Sequence, residues 1–486
     1  MRYLTVDFGS TYTKLTAIDA TGDAAGSAGR DKVLGTAAAF TTIATDVMLG
    51  FENALTSLRA QVGDFAYEEL LCCSSAGGGL KMVALGLVPE LTAKAAEMAA
   101  ESAGAKVIRT YAYEISKEEQ AEVAAIRPDI ILLCGGTDGG NKDVIIKNAA
   151  LICEVPGNFS IIAAGNKSAS RELQSIFAGS GKEYVISKNV MPVFGKLDSE
   201  PAKSAIRDIF IERIIDAKGL ACVQRMTRHE VIPTPVAVLR GCELLCLGTK
   251  KTPGIGEFLA VDVGGATTDV YSMAKGAPSL GKVLLKGLPE PFSKRTVEGD
   301  LGMRYSAGFL LDEVGAAGAE SIAEECGGSP ATPVTADEVR VWVDKCVAEP
   351  ETLAPQNSRE RAIDEKLAGY AVELAVERHC GVLEQVYTPL GEMYTLTGKD
   401  LSEIPRVIGI GGVIKNSANP AEILRHAVYT IKKTGHMFPK TPAFFLDKRY
   451  IFSAMGLVGM INPELALAIM KQNIQALTED EHGLEK

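Results

Sequence analysis

The sequence lacks the features of a membrane protein or a nucleic-acid-binding protein. No apolar run reaches the roughly 18 residues that a membrane-spanning helix needs. Lys and Arg number 50 against 61 Asp and Glu, which gives a formal net charge of −11 at pH 7. This acidic balance disfavours nucleic acid or an anionic membrane as the main partner. No apolar leader of a secretory signal follows Met1, so we expect a cytoplasmic protein.

The ten cysteines lack the spacing of a known cysteine framework. They form neither a paired CxxC zinc site nor the dense pattern of a small disulfide-linked scaffold. Cys242 and Cys246 lie four residues apart, on one face of a predicted helix. Because cytosolic disulfides are rare, we interpret the cysteines as reduced core thiols and leave a metal or redox role as the alternative.

The remaining composition is that of a large globular protein. Hydrophobic residues make up 47% of the 486 residues, a length that favours at least two lobes. Apolar runs that end in glycine-rich turns, with helical patterns between them, predict an α/β fold. We place the boundary near Gly254, which gives a first lobe at 1–254 with an inserted subdomain. The second lobe would span 255–486, with an inserted or peripheral subdomain at about 315–355.

An internal repeat is the strongest signal in the chain. The segment Val6-Asp-Phe-Gly-Ser-Thr-Tyr-Thr-Lys14 aligns with Val261-Asp-Val-Gly-Gly-Ala-Thr-Thr-Asp269. Asp7 matches Asp262 at an offset of 255 residues (262 − 7), and the glycines and threonines that follow match at the same offset. Strand-like segments flank both copies. The repeat therefore predicts two related halves, each with one hairpin.

The composition of these hairpins indicates phosphate binding. Glycine lets the backbone approach a phosphate closely, and hydroxyl groups add hydrogen-bond donors. An aspartate at the end of the strand would hold Mg²⁺ through water, with the ion bridging the phosphate oxygens. Asp7 and Asp262 are thus the candidate metal-binding and catalytic residues. The expected phosphate contacts are Gly9, Ser10, Thr11, Thr13, Lys14, Gly264, Gly265, Ala266, Thr267 and Thr268. Lys14 would neutralise phosphate charge or face solvent.

Three further segments are candidates for the same site. A loop with Gly409, Gly411 and Gly412 follows a strand and would accommodate a base or a ribose, or would be an ordinary turn with positive φ. Gly135, Gly136 and Thr137 precede Asp138, which would reach metal or the attacking water. Glu298 and Asp300 would position water, or they form a solvated acidic turn.

These motifs, in this order, resemble the superfamily of actin, sugar kinases and heat-shock chaperone ATPases. Five strings are similar to those of the MutL/GlmL family, which is associated with glutamate mutase and is distinct from mismatch repair. The similarity spans about residues 1–460 and rests on the following strings: Val6–Lys14, Cys134–Gly140, Pro233–Val238, Val261–Asp269 and Val297–Gly302.

The resemblance implies two actin-like ATPase lobes, built from ribonuclease H-like βα units around a nucleotide cleft. It also implies an ATP-dependent reactivating factor, a molecular chaperone for adenosylcobalamin-dependent aminomutases such as glutamate mutase or ornithine aminomutase. ATP or ADP and Mg²⁺ would be the cofactors, and hydrolysis would drive release of damaged cobalamin. A homo-oligomer is left open.

Three other functions are compatible with these residues. A small-molecule kinase would use the same hairpins, with a carboxylate that deprotonates a substrate hydroxyl. A filament-forming protein would bind nucleotide as a structural ligand only. An activator with an iron–sulfur cluster would need cysteines close to the nucleotide loops.

Overall fold

The computed structural model describes residues 1–21, 32–42, 46–75, 81–217, 220–326, 334–389 and 391–477. Its contacts divide the chain into two compact units. The first unit contains Met1–Gly77, Ala221–Lys286 and Glu290–Lys486, and the second contains Gly78–Leu220 and Gly287–Pro289. The predicted division into lobes at residue 254 stays a prediction. Apart from Gly287–Pro289, the second unit falls within the range of the predicted first lobe, where an inserted subdomain is expected.

The described residues form nineteen strands. They are β1 (Arg2–Phe8), β2 (Tyr12–Asp19), β3 (Val33–Phe40), β4 (Glu69–Ser74), β5 (Lys81–Gly86), β6 (Lys106–Ala112), β7 (Ile130–Leu133), β8 (Ser160–Ala163), β9 (Tyr184–Ile186), β10 (Ile232–Pro233), β11 (Phe258–Val263), β12 (Thr268–Met273), β13 (Val283–Lys286), β14 (Ser293–Glu298), β15 (Val382–Thr388), β16 (Gly391–Thr397), β17 (Arg406–Ile410), β18 (Ala443–Asp447) and β19 (Ile474–Ala476).

Sixteen α-helices lie in the same described ranges. They are α1 (Val47–Val62), α2 (Lys94–Ser102), α3 (Lys117–Ile126), α4 (Asp143–Glu154), α5 (Ser170–Ser180), α6 (Glu200–Ala217), α7 (Leu220–Met226), α8 (Thr234–Leu247), α9 (Ala307–Val314), α10 (Ala316–Glu325), α11 (Ala336–Ala348), α12 (Arg359–His379), α13 (Gly412–Asn416), α14 (Pro420–Arg425), α15 (Phe452–Gly459) and α16 (Pro463–Asn473). None of them is long and apolar enough to cross a membrane. Short 3₁₀ or π segments cover Pro89–Ala93, Lys167–Ala169 and Ile431–Lys433.

Two sheets of the first unit share one arrangement of strands. The first has the order β10-β4-β1-β2-β3, and the second has the order β14-β12-β11-β17-β18-β19. In each, a central hairpin carries an antiparallel third strand on one side and two parallel strands on the other. The hairpins also close in the same register, since Asp7 pairs with Lys14 and Asp262 pairs with Asp269. The predicted α/β class is confirmed, and the two copies of the repeat lie in related sheets.

The second unit is built on a parallel sheet with the order β6-β5-β7-β8-β9. Strands β5, β7 and β8 contribute a core of Val, Ile and Leu side chains, as expected for strands that are covered on both faces. Helices α4 and α6 follow β7 and β9 in the chain, which is the alternation of strands and helices that the sequence predicts. The loops after β5 and β7 therefore lie at neighbouring strand ends.

The subdomain predicted at about 315–355 is helical where it is described. It contains α10 and α11, while residues 327–333 lie outside the described residues. Trp342 of α11 donates a hydrogen bond of 2.8 Å to the buried Asp364 carboxylate of α12. Arg304 pairs with the same carboxylate at 2.9 Å. This buried ion pair anchors the helices beside the second sheet.

Helices α8 and α15 pack closely because glycines face the contact. A Cβ atom on Gly241 would lie 2.7 Å from the Phe452 carbonyl oxygen, and one on Gly456 would lie 1.8 Å from the Ala237 carbonyl oxygen. Both helices begin near the end of β1, at Thr234 and Phe452. Their close approach brings the two helix N-termini to the same strand end.

Gly411 fixes the turn between β17 and α13. Its φ is +105°, and a Cβ atom there would lie 2.3 Å from the Val263 carbonyl oxygen. The turn therefore needs both a positive φ and direct contact with the backbone of β11. Gly412, the next residue, has open space around its Cβ position.

We predict that Gly411→Ala lowers the free energy of unfolding by about 2 kcal/mol or more, because both strain and a backbone clash arise. Gly412→Ala is the matched control and should change that free energy by less than about 1 kcal/mol. Urea unfolding measures both variants. Equal stability of the two would contradict the steric account of this turn.

Candidate functional site

The tips of the two predicted phosphate hairpins meet within the first unit. A Cβ atom on Gly265 would lie 2.4 Å from Thr11 Oγ1. Thr11 is buried, and its hydroxyl has no hydrogen-bond partner among the described residues. Because an unpaired buried hydroxyl costs free energy, this atom is a sign that a polar ligand belongs there.

Backbone hydrogen bonds shape each tip in the same way. Gly9 N donates to the Tyr12 carbonyl at 3.1 Å, and Gly264 N donates to the Thr267 carbonyl at 2.9 Å. Met303 N and Arg304 N donate to the carbonyls of Gly264 and Gly265, at 3.0 and 2.7 Å. Fixing these carbonyls leaves tip amides as donors for an anion.

Asp7 is held by two hydroxyl groups and one cation. Thr234 Oγ1 donates to its carboxylate at 2.6 Å, and Ser453 Oγ donates at 3.3 Å. Lys14 Nζ lies 3.6 Å from Asp7 Oδ2. Thr234 and Ser453 lie in the first turns of α8 and α15, where the positive ends of the helix dipoles also favour a carboxylate.

Asp262 is held by a tyrosine. The Tyr450 hydroxyl lies 3.2 Å from each of the two Asp262 carboxylate oxygens and donates to them. Burial raises the pKa of Asp262 to about 7, and the nearby charge of Lys14 and the Tyr450 hydrogen bond oppose that increase. At neutral pH this carboxyl therefore lies near the midpoint of its titration.

The two aspartates differ in their cross-strand neighbours. Asp7 faces Lys14, whereas Asp262 faces Asp269 at the equivalent position. Asp269 pairs with the buried Arg295 at 2.6 Å, but its charge still raises the pKa of Asp262. Side chains directly opposite in an antiparallel pair lie on the same face of the sheet. Lys14 therefore belongs to the cleft around Asp7 and does not face solvent alone.

The matching threonines Thr13 and Thr268 support the hairpins in this structure. Both are fully buried. Thr13 Oγ1 lies 3.1 Å from Thr41 Oγ1, and Thr268 Oγ1 donates to the Leu301 carbonyl at 2.6 Å. The contact of these two threonines with phosphate stays a prediction, and so does that of the other hairpin residues.

The predicted adenosine loop lies beside the second hairpin. Gly409 of β17 pairs in parallel with Val261 of β11, and Gly411 touches β11 directly. The carbonyl end of β17 thus lies next to the strand that carries Asp262. The open surface at Gly412 is consistent with a flat ligand there, which stays a prediction.

Glu298 and Asp300 are tied to one arginine. Arg378 Nη1 contacts Glu298 Oε2 at 2.8 Å and Asp300 Oδ2 at 2.9 Å. Its Nη2 contacts Glu313 Oε2 at 3.0 Å. Burial raises the pKa of Glu298 even though Arg378 opposes that change. To orient water, Glu298 would have to share or leave this ion pair.

Asp138 belongs to the second unit and is part of its loop framework. Its Oδ1 accepts hydrogen bonds from Lys167 N at 3.1 Å and Asn189 Nδ2 at 3.0 Å. Lys167 Nζ lies 3.7 Å from Oδ2. Asn189 also donates to the Gly136 carbonyl. These contacts hold the glycine-rich loop, and the predicted role of Asp138 toward metal or water stays a prediction.

The residues around the hairpins fit a hydrated Mg²⁺ ion. Within the described ranges, no group of three or more His, Cys, Asp or Glu residues could hold a metal by itself. Mg²⁺ usually keeps several waters and binds one or two carboxylates together with substrate phosphates. Asp7 and Asp262 supply two carboxylates, and the unpartnered Thr11 hydroxyl lies at the hairpin tips. This donor set suits a metal that arrives with a nucleotide.

Three residues of the site were missed by sequence reasoning. Tyr450 and Ser453 follow β18 without a recognised motif, and they reach partners 188 and 446 residues away in the chain. Thr234 lies in the Pro233–Val238 string that carries the family resemblance, so a signal for it existed. Its hydrogen bond to Asp7 gives that string a physical role.

Comparison with known proteins identifies relatives of the whole chain. The family model described as "MutL protein" matches residues 3–474. Protein MutL of Clostridium tetanomorphum is 44% identical over 475 residues, which are 97% of this chain and 98% of that protein.

Solved structures show weaker likeness. A glycerol dehydratase reactivase has 10% identity and a TM-score of 0.35, and covers 95% of this chain and 100% of its own. A nucleotide-free diol dehydratase-reactivating factor has 11% identity and a TM-score of 0.34, with 94% and 99% covered. At such scores the likeness assigns no function.

We predict that Asp262→Asn changes how stability depends on pH. The pKa of Asp262 is raised when folded, so its protonated form stabilises the native state below about pH 4, and this contribution is lost as pH rises through about 7. The wild-type protein should therefore lose stability relative to the variant between pH 5 and pH 8.

Urea unfolding of both proteins at these two pH values measures this change. Asp447, whose pKa burial raises to about 6, titrates in both proteins and cancels in the difference. A difference in unfolding free energy that is the same at pH 5 and pH 8 would contradict the raised pKa of Asp262.

Proposed function

The chain belongs to the MutL protein family, and from that premise we propose that it is an Mg²⁺-dependent ATPase whose work is to reactivate another enzyme. The main support is the pair of hairpins in the first unit. They share one register, their tips touch, and the buried Thr11 hydroxyl has no hydrogen-bond partner in the described part of the chain. A triphosphate gripped from both sides would use these donors.

Each group of residues around the hairpins would have its own role in binding the metal nucleotide. The tip amides and the Thr11 hydroxyl would bind phosphate oxygens, and Lys14 would neutralise their charge. Asp7 and Asp262 would hold Mg²⁺ through its bound waters. When bound, Mg²⁺ would supply positive charge that stabilises the negative charge developing during phosphoryl transfer. The 409–412 loop would receive the adenosine.

Hydrolysis requires a group that orients water. Asp138 and Glu298 stay the two candidates for this role. Each is held by hydrogen bonds or an ion pair in the structure, from Asn189 and Lys167 in one case and from Arg378 in the other. For Asp138 these contacts outweigh the effect of burial and lower the pKa, which keeps the carboxylate ionised. Glu298 would have to share or leave its ion pair with Arg378 to orient water.

The partner that we propose is a cytoplasmic adenosylcobalamin-dependent aminomutase similar to glutamate mutase. This part rests on the motif resemblance together with the family. An ATP-bound state and an ADP-bound state would favour different conformations, and that difference would drive release of damaged cobalamin from the mutase.

We expect Asp7→Asn and Asp262→Asn each to lower Mg·ATP turnover by at least about 100-fold, because each removes a charge that holds the metal. Asparagine preserves side-chain volume and one accepting oxygen, so the fold should persist by circular dichroism. Asp64→Asn is the matched control, since the Asp64 side chain is exposed to solvent. Unchanged release of phosphate by both site variants would contradict the assignment of Asp7 and Asp262 as metal-binding residues.

A reconstitution assay tests the partner. An aminomutase inactivated by turnover should regain activity when this protein, ATP, Mg²⁺ and fresh adenosylcobalamin are added together, and should not regain it with Asp7→Asn. ADP release should respond to the mutase and not to small metabolites. If a small metabolite with a hydroxyl group stimulated ADP release by itself, and no mutase regained activity, a small-molecule kinase would be favoured instead.

A further inference from the structure

Tyr450 stands out because its backbone conformation is unfavourable. It is a bulky residue with φ of +56°, in the left-handed region that such side chains rarely adopt. Asp447 holds the turn by accepting hydrogen bonds from Ile451 N at 2.7 Å and Phe452 N at 3.0 Å. Backbone strain that the surroundings maintain is often found where a side chain has a functional task.

The Tyr450 side chain contacts both hairpins. Its ring lies 3.7 Å from Lys14 Nζ of the first hairpin, which is a close cation–π contact. Its hydroxyl donates to both carboxylate oxygens of Asp262 in the second hairpin. Lys14 in turn approaches Asp7. One side chain therefore engages the cation and one of the two carboxylates that would bind a metal nucleotide.

A hydroxyl that donates to Asp262 does what a metal-bound water would do. Mg²⁺ held through water presents O–H donors to carboxylates, and the phenol O–H has the same hydrogen-bonding character. Likewise, the ring contact gives the Lys14 ammonium a partner in place of a phosphate. The contacts of Tyr450 thus satisfy two groups that would otherwise bind metal-bound water and phosphate.

Resting on the proposed function, we propose that Tyr450 is a latch, defined by its contacts to Lys14 and Asp262, that competes with the metal nucleotide. In the nucleotide-free protein the latch holds the charged groups of the two hairpins together. Binding of nucleotide with its metal releases Lys14 toward phosphate and Asp262 toward metal-bound water. Tyr450 is a positioning residue, because it acts through these two side chains.

The nucleotide-free contact is tested by a double-variant cycle. Lys14→Met and Tyr450→Leu each remove the cation–π contact, so the double variant should lose less stability in urea than the sum of the single losses. Strictly additive losses would overturn the latch. This measurement needs no nucleotide, so it stands even if the proposed function fails.

Competition with the metal is tested by calorimetry at pH 8.5. Tyr450→Phe keeps the ring and removes the hydroxyl, so it should bind Mg·ADP about tenfold more tightly, as expected for loss of a competing hydrogen bond to a charged group. Its affinity for ADP without metal should stay within about twofold of wild type. Tyr429→Phe, at a partly exposed tyrosine of the same unit, is the control.

The sign of the change decides between a latch and a simple support. Unchanged or weaker Mg·ADP binding by Tyr450→Phe would overturn the proposal, because a residue that only supports Asp262 would weaken the metal site when altered. Absence of any nucleotide binding by the folded wild-type protein would instead overturn the proposed ATPase and the competition that rests on it.

Discussion

Two carboxylates at the ends of strands β1 and β11 impose the constraint that the surrounding structure meets. Asp7 and Asp262 lie close enough that each charge disfavours the other, and burial removes the water that would stabilise them. The chain compensates with directed donors. Thr234 and Ser453 serve Asp7, Tyr450 serves Asp262, and Lys14 supplies the positive charge.

The charges of Asp7 and Asp262 are compensated to different extents. Duplicated hairpins with the same register carry opposite charges at one equivalent position, Lys14 in the first and Asp269 in the second. Asp7 thus has a cation across the strand pair, whereas Asp262 has an anion already committed to Arg295. The second site therefore stays poorly neutralised until another positive charge arrives. A hydrated Mg²⁺ ion would supply such a charge.

Local sequence was sufficient to predict the hairpins, because strand, turn and glycine signals all lie within nine residues of each aspartate. The constant offset of 255 residues even predicted the common register, and β11 and β12 close as β1 and β2 do. Tyr450 could not be found in this way. Its partner is 188 residues distant, and only the folded turn after Asp447 directs the phenol to Asp262.

The motifs around Asp138 and Glu298 likewise did not predict the tertiary contacts of these two residues. Asp138 was singled out by the glycines around it, but no local pattern indicated that Asn189 and Lys167 would donate hydrogen bonds to its carboxylate. Arg378, which pairs with Glu298, lies 80 residues away on another element. Motifs located the candidate side chains, and tertiary packing determined which charges they meet.

A crystal structure with Mg²⁺ and a non-hydrolysable ATP analogue would test the central claim most directly. The claim predicts phosphate oxygens at the tips of both hairpins, within hydrogen-bond distance of the Thr11 hydroxyl, with metal-bound water at Asp7 and Asp262. Phosphates bound by one hairpin alone, or at a site away from both aspartates, would contradict it.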